Sequence, residues 1–337
     1  MPVCELTAKS LAEYLVARGF AADSSTLTIQ ELAGGVSNMV FLVEWPGSPE
    51  RHWVVKQSLD RLRVRMDWRS DRQRVFREAE AIRCLRPILG EAAVPELIHV
   101  DSENFLFIMS RAPDGSVAWK EALLAGQVDL QVAQQAGQLL ARLVQCSSKE
   151  PAFREKFQVR RVFDQLRLDP YYRTVAATHS DVAALIQALI AESWKIRTSL
   201  VHGDYSPKNM LVKGSHIFLI DFEVIHWGDP AFDSAFLLNH LFLKAIHRPE
   251  YSEQYLAAAK AFRKPLELGW TGPDFAGFER MTMRHLGALM LARIDGKSPV
   301  EYIRNEPEKD RARRLAKRIL RQRPEKLGDV LALYRDE

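Results

Sequence analysis

The residues best placed by type and spacing to do chemistry fall in one run, His202-Gly203-Asp204-Tyr205-Ser206-Pro207-Lys208-Asn209. An apolar stretch and a turn follow, and then Leu219-Ile220-Asp221-Phe222-Glu223. An acid thus lies five residues before an amide, and a second acid closes the next apolar segment. Phosphoryl transfer calls for such a set. One carboxylate must receive or orient the acceptor hydroxyl, and an amide oxygen with another carboxylate must hold the magnesium that bridges the phosphates. Oxygen donors suit this hard cation, which takes only one or two protein carboxylates beside phosphate and water. A lone His-x-Asp would read more simply as a polar turn. The combination of HGDxxxxN, an apolar strand, a hairpin and an apolar-Asp-Phe-Glu ending favours the chemical reading.

This stretch resembles the phosphotransferase loop of the aminoglycoside phosphotransferase, choline kinase and methylthioribose kinase superfamily, which shares the bilobal protein-kinase-like fold. The resemblance extends from about residue 27 to about residue 300 and is sharpest at 201–223. It implies an α+β fold with a small sheet-rich N-lobe over residues 1–112 and a larger helical C-lobe over 113–337, working with ATP and Mg²⁺. It implies Asp204 as the catalytic base, His202 as a support of the catalytic loop, and Asn209 and Asp221 as metal ligands. Glu223 matches the acid that choline and methylthioribose kinases carry two places after the metal aspartate, and joins the candidate metal set.

The elements that must position these groups begin with a strand-rich half. Residues 6–18 read as an amphipathic helix with Leu11, Leu15 and Val16 on one side. Strands are expected over 27–31, 39–44, 52–57, 97–100 and 105–109, and a helix over 73–86. Gly34-Gly35-Val36-Ser37-Asn38 lies between the first two strands, where a loop can turn backbone N–H groups toward phosphates. Gly34, Gly35, Ser37 and Asn38 are therefore nucleotide-binding candidates, although a plain hairpin would also use two glycines. Lys56 interrupts an apolar strand, and a charge there needs a partner or a ligand. In protein kinases the equivalent lysine pairs with phosphates and with a helix glutamate. Glu78 shares a helical stripe with Val75, Ile82 and Leu85 and so points inward; Glu80 falls off the stripe and is expected in solvent. The resemblance puts Glu78 at the lysine-pairing position. It also likens 105–112 to the strand-to-hinge segment in which the backbone of Ser110 and Ala112 reads the adenine edge.

Beyond Arg111-Ala112-Pro113-Asp114-Gly115 helices dominate. Asp129 is expected to cap a helix with Val132, Ala136, Leu139, Leu140 and Leu143 on one face. Strand signals in this half are confined to 209–212 and 216–220, joined at Lys213-Gly214-Ser215. A further helix is expected over 232–247, with Asp233 capping it and bracing the catalytic loop, and Asp229 left open. The short interval between Asp221 and that helix has no room for the long activation segment of a protein kinase. A small hydroxyl-bearing substrate is the expected partner.

A generic small-molecule O-kinase is thus the expected function. A methylthioribose-kinase-like sugar kinase is one alternative, because Val55-Lys56-Gln57-Ser58-Leu59 and Arg284-His285-Leu286-Gly287 resemble that family. The chain departs from it in having a single Arg284 where two adjacent arginines are usual, and in having Asn209. A choline-type kinase is another, for which Tyr205, Trp227, Phe236 and Trp270 could supply an aromatic cage. The alternative of a different class is a non-catalytic nucleotide- or RNA-binding protein of the same fold. It should have lost Lys56, Asp204, Asn209 or Asp221, and all four are present.

Composition adds exclusions. The 337 residues carry a formal charge of only +4, too mild to imply nucleic acid by itself. Seven arginines lie within 61–77, where a connector with some arginines near bound phosphates is preferred to an RNA site. The basic stretch 311–323 places Leu315, Ile319 and Leu320 at helical spacing, as in an ordinary amphipathic surface helix. Gly296-Lys297-Ser298 lacks the upstream glycine of a P-loop. Cys4, Cys84 and Cys146 form neither a disulfide framework nor a CxxC site, and no secretory signal or membrane-spanning run is evident, so a cytoplasmic location is expected.

Overall fold

In the computed structural model, which describes residues 5–32, 37–48, 51–61, 63, 70–272 and 274–337, the chain divides into two units, Met1–Asp114 and Gly115–Glu337. The first is built on alternation. Strands β1 (Thr28–Glu31), β2 (Asn38–Glu44), β3 (Trp53–Ser58), β4 (Leu97–Asp101) and β5 (Leu106–Ser110) form an antiparallel sheet in the order β1-β2-β3-β5-β4. Successive side chains of a strand face opposite ways. On β3, Val55 joins a core with Leu11, Leu15, Phe41, Val43 and Ile108. Here helix α1 (Ala8–Ala17) covers the sheet, and Gln57 on the same face accepts a hydrogen bond from the Leu6 amide at 2.9 Å. Val16, expected on the buried side of α1, is only half-buried. Lys56 falls on the opposite face, in register between Val40 of β2 and Phe107 of β5.

Helix α2 (Arg74–Leu89) buries Val75, Glu78, Ile82 and Leu85 as the stripe predicts, and continues past Pro87 to Leu89. Two arginines at the start of this helix tie it to the chain around it. Arg74, 1% exposed, donates to the carbonyls of Ser70, Asp71 and Leu59 at 2.8–3.0 Å and also to that of Ser37. Arg72 donates to the Ser58 carbonyl at 3.0 Å and lies over the Phe105 ring. Buried carbonyls need donors. These two arginines supply them.

The second unit is helical, with two small sheets inserted. Its elements are β6 (Val117–Ala118), α3 (Trp119–Leu124), α4 (Leu130–Ser148), α5 (Pro151–Phe157) and α6 (Arg161–Phe163), then a π-helical segment, Asp164–Arg173. There follow α7 (Thr174–Thr178), α8 (Ala183–Lys195), β7 (Ser199–Val201), β8 (Met210–Lys213), β9 (His216–Leu219) and β10 (His226–Gly228). Helices α9 (Ala231–His247), α10 (Ser252–Gly269), α11 (Phe275–Asp295), α12 (Glu306–Gln322) and α13 (Leu327–Arg335) complete it. Asp129 caps α4, its carboxylate accepting from the Gln131 amide at 2.7 Å. Helix α9 is buried on all sides from Ala231 to Ile246 and runs through the centre of the unit. Helix α12 buries Leu315, Ile319 and Leu320 as its spacing predicts. The hairpin β8–β9 turns at Gly214, where φ is +60°.

Three strands escape the sequence pattern: β6, which pairs with β8, and β7 with β10, which pair as His226 opposite Val201. Runs of two or three residues are too short to alternate and are specified only by their distant partners. No helix of the described residues is long and apolar enough to cross a membrane.

Candidate active site

Strand β7 delivers the chain into His202-Gly203-Asp204, and a 3₁₀ turn, Pro207–Asn209, starts strand β8. Two buried acceptors fix the entry. The Asp233 carboxylate accepts from the His202 amide at 2.6 Å and from the Gly203 amide at 2.9 Å. Burial pushes this carboxyl up to about 7, against the pull of those two bonds. Asp233 therefore braces the loop but does not cap α9. It lies within the first turn of that helix, whose N-cap is Pro230; Asp229, one residue earlier, accepts from the Ala231 amide at 3.0 Å. Gly203 adopts φ +79°, and a Cβ there would come within 2.7 Å of Val224, so this turn needs glycine on both counts.

His202 is fully buried, and burial holds its pKa down to about 4, so the ring is neutral. Its Nδ1 accepts from the Asp204 amide at 3.2 Å, which leaves Nε2–H to donate to the Ile220 carbonyl at 3.1 Å. The ring thereby ties the 202–204 turn to the residues between β9 and Asp221.

Asp204 is 3% exposed, and its Oδ2 lies 3.1 Å from Arg167 and 2.9 Å from Lys208. Burial pushes the carboxyl up, but Lys208 and Arg167 outweigh burial and hold it well below the usual carboxylate range. A carboxylate flanked by two cations is a weak base that stays ionised, suited to orienting a hydroxyl and accepting its proton late. Sequence reasoning missed both cations. Lys208 stood inside the quoted motif, one helical turn after Asp204. Arg167, between Leu166 and Leu168 on the π-helical segment, had as its only signal a charge among apolar neighbours. Arg167 also donates to the Gly203 carbonyl at 2.6 Å, so one guanidinium fixes both the loop backbone and its acid.

Asn209 donates its amide N–H to the Asp204 carbonyl at 2.9 Å, which leaves the amide oxygen as its ligand atom. Asp221 has φ +70°, a left-handed backbone that residues with a side chain rarely hold and that collects at functional sites. Asp221 and the buried Glu223 bring carboxylate oxygens within 4.8 Å of each other. Carboxylate and amide oxygens so placed fit a hard divalent cation.

In the first unit Lys56 Nζ lies 2.7 Å from Glu78 Oε2, with both side chains at most 6% exposed. Glu80 is half-buried beside Arg83 at 2.5 Å, a partial departure from the solvated position expected of it. Asn38 donates to the Ser37 hydroxyl at 2.9 Å, and both residues are buried; Gly34 and Gly35 lie outside the described residues. Ser110 commits its amide to the Glu96 carbonyl at 2.9 Å, so its carbonyl is what it could offer a base; Ala112 is half-buried just beyond β5. Breaking a buried ion pair from one side costs about 3–5 kcal/mol because the other charge is stranded. Lys56→Ala and Glu78→Ala are each expected to lower stability and phosphoryl transfer, and the double variant to lose less than the sum. A double-mutant cycle on unfolding and on turnover checks this, and additivity in both would remove Glu78 as the functional partner of Lys56.

Other sequence features resolve into structure. Lys297 pairs with Asp169 at 2.7 Å, and Ser298 is held by Arg293, so this GKS tripeptide has structural partners. Arg284 pairs with Glu192, while His285 reaches inward to Asp229 at 3.2 Å and Tyr172 at 2.6 Å. The four proposed cage aromatics have separate neighbours. Tyr205 donates to the Ala136 carbonyl, Trp227 to that of Arg197, Trp270 packs on Phe278, and Phe236 on Phe232.

Comparison with known proteins follows the same lines. A model of the phosphotransferase enzyme family (APH) matches residues 28–271, well over half of the chain. The chain belongs to this family. Methylthioribose kinase of Escherichia coli O45:K1 (strain S88 / ExPEC) is 24% identical over 250 residues, which span 66% of this chain and 58% of that kinase. Solved structures show the fold. Plasmodium vivax ethanolamine kinase aligns with a TM-score of 0.58 at 14% identity, covering 96% of this chain and 93% of its own. Amicoumacin kinase hAmiN, solved with AMP-PNP, Ca²⁺ and Ami, gives 0.54 at 18% identity, covering 97% and 100%. A thermostable mutant of aminoglycoside phosphotransferase APH(4)-Ia, in ternary complex with AMP-PNP and hygromycin B, gives 0.53 at 16%, covering 93% and 98%. The α+β, protein-kinase-like fold expected from the sequence is the fold of the family.

Proposed function

We propose that this family member transfers the γ-phosphate of ATP to a hydroxyl of a small molecule. The observation that carries the reading is the ionised Asp204, buried between Arg167 and Lys208 on a loop that also presents the amide oxygen of Asn209. Asp204 aligns the acceptor hydroxyl and takes its proton as the new bond forms. Lys208 and Arg167 keep the carboxylate ionised and fixed. Asn209, Asp221 and Glu223 would hold the metal, with His202 tying their two segments together. Magnesium held there would supply neutralisation of the phosphate charge. Lys56, oriented by Glu78, takes phosphate oxygens; Ser37 and Asn38, with Gly34 and Gly35 as further candidates, serve the phosphate side, and Ser110 and Ala112 meet the base.

The kinase relatives crystallised with AMP-PNP, one of them with Ca²⁺, support the nucleotide and metal assignments. Helix α9 begins at Ala231, soon after Asp221, which favours a small acceptor over a protein one. Metal removal tests the reading. Chelation is expected to stop ATP-dependent phosphorylation and added Mg²⁺ to restore it; full turnover in chelator would exclude this assignment.

A further inference from the structure

Helix α9 carries Phe236, His240 and Lys244 at four-residue spacing, a single stripe. The stripe begins beside the catalytic acid, since Phe236 lies 5.6 Å from the guanidinium of Arg167, which itself pairs with Asp204. A second guanidinium follows. Arg293 donates to the Tyr171 hydroxyl at 3.1 Å, and Arg167 and Arg293 both lie within 5.7 Å of the Tyr171 ring. Lys244 closes the stripe. It is fully buried, and its Nζ has no hydrogen-bond partner among the described residues. The Tyr302 ring lies 5.0 Å from this nitrogen, and the Tyr302 hydroxyl is likewise buried without a partner.

No carboxylate is left over to pair with Lys244 among the groups that act on it. Lys120, Arg293 and Glu301 act on it, and Glu301 is already paired with Lys120. Burial, Lys120 and Arg293 push Lys244 down to about 7 against the pull of Glu301. His240, midway along the stripe, is buried neutral and feels Lys244 and Arg293 on one side and Asp204 and Lys208 on the other. A buried donor pair without acceptors is costly. An anion would satisfy Lys244 and Tyr302 together, whereas a cationic amine would meet like charge.

We propose that the acceptor is itself an anion, a hydroxyl compound bearing a carboxylate or a phosphate, and that Lys244, Arg293 and Tyr302 hold that group. The inference rests on the kinase reading above and adds the charge of the substrate. It sets this chain apart from the relatives named for ethanolamine and aminoglycoside substrates.

The test uses full-length protein with Mg-ATP and acceptors matched in pairs: glycerol and glycerate, ribose and ribose 5-phosphate, with ethanolamine and hygromycin B as cations. Wild type is expected to favour an anionic member by at least about tenfold in kcat/KM, as for a charge-assisted bond in a buried site. Lys244→Met, similar in length and uncharged, should erase that preference by raising KM for the anion, with KM for ATP as the control. Lys244→Arg should restore part of it. A preference for a neutral or cationic member overturns the proposal, as does an anion preference intact in Lys244→Met. Those failures leave the kinase reading standing, whereas a protein that neither binds Mg-ATP nor transfers phosphate to any member removes both.

Discussion

Asp204→Asn is expected to lower kcat on the true acceptor by roughly 10²–10⁴-fold, the usual worth of general-base assistance. The amide is close to the carboxylate in shape but cannot take the proton, and it offers Arg167 and Lys208 a dipole where they had a charge. Both cations would be left partly uncompensated. The cost in stability should not exceed about 3–5 kcal/mol, because Arg167 keeps its bonds to the Gly203 and Leu166 carbonyls. ATP affinity should change little, since the proposed phosphate contacts come from Lys56, residues of the 34–38 segment and the metal. Titration of Mg-AMP-PNP into the same preparation used for kinetics separates the cases. If affinity collapses along with turnover, Asp204 is a metal or structural residue.

Asp221→Ala should have the larger effect, abolishing turnover. Phosphoryl transfer depends on charge neutralisation and alignment more than on proton removal. The loss of one metal carboxylate therefore removes more than the loss of the hydroxyl-orienting acid. The backbone supplies a control. At φ +70° alanine is strained and glycine is not. Asp221→Gly is therefore expected to be more stable than Asp221→Ala by about 1 kcal/mol and equally inactive. Thermal unfolding and turnover of the two variants check this, and activity in either would remove Asp221 from the metal site.

The candidate catalytic run was legible because spacing carries it: Asp204, Asn209 and Asp221 sit on a loop, a turn and the segment just after a strand, whose lengths fix one another. Lys56 and Glu78 were legible for a similar reason, since a charge in an apolar strand and an acid on an apolar helix stripe have few places to go but toward each other. What stayed hidden depends on contacts between distant positions. Arg167 reaches Asp204 from a segment without regular periodicity, and the Asp229–His285 contact joins residues far apart in sequence. Arg74 looked like one of seven solvent-facing arginines, and only the fold shows it bonded to four carbonyls. Lys244 gave no signal at all, because a lysine in a helical pattern normally reaches water, and α9 is buried all round.

The central claim is that the 201–223 segment moves phosphate from ATP to a hydroxyl. Phosphorus NMR of wild type incubated with Mg-ATP and the acceptor panel tests it most directly, with Asp204→Asn run in parallel. The expected result is a new phosphate-monoester resonance growing in step with ADP in wild type and suppressed by at least about a hundredfold in the variant. ATP converted only to inorganic phosphate, or monoester formed equally by Asp204→Asn, would contradict it.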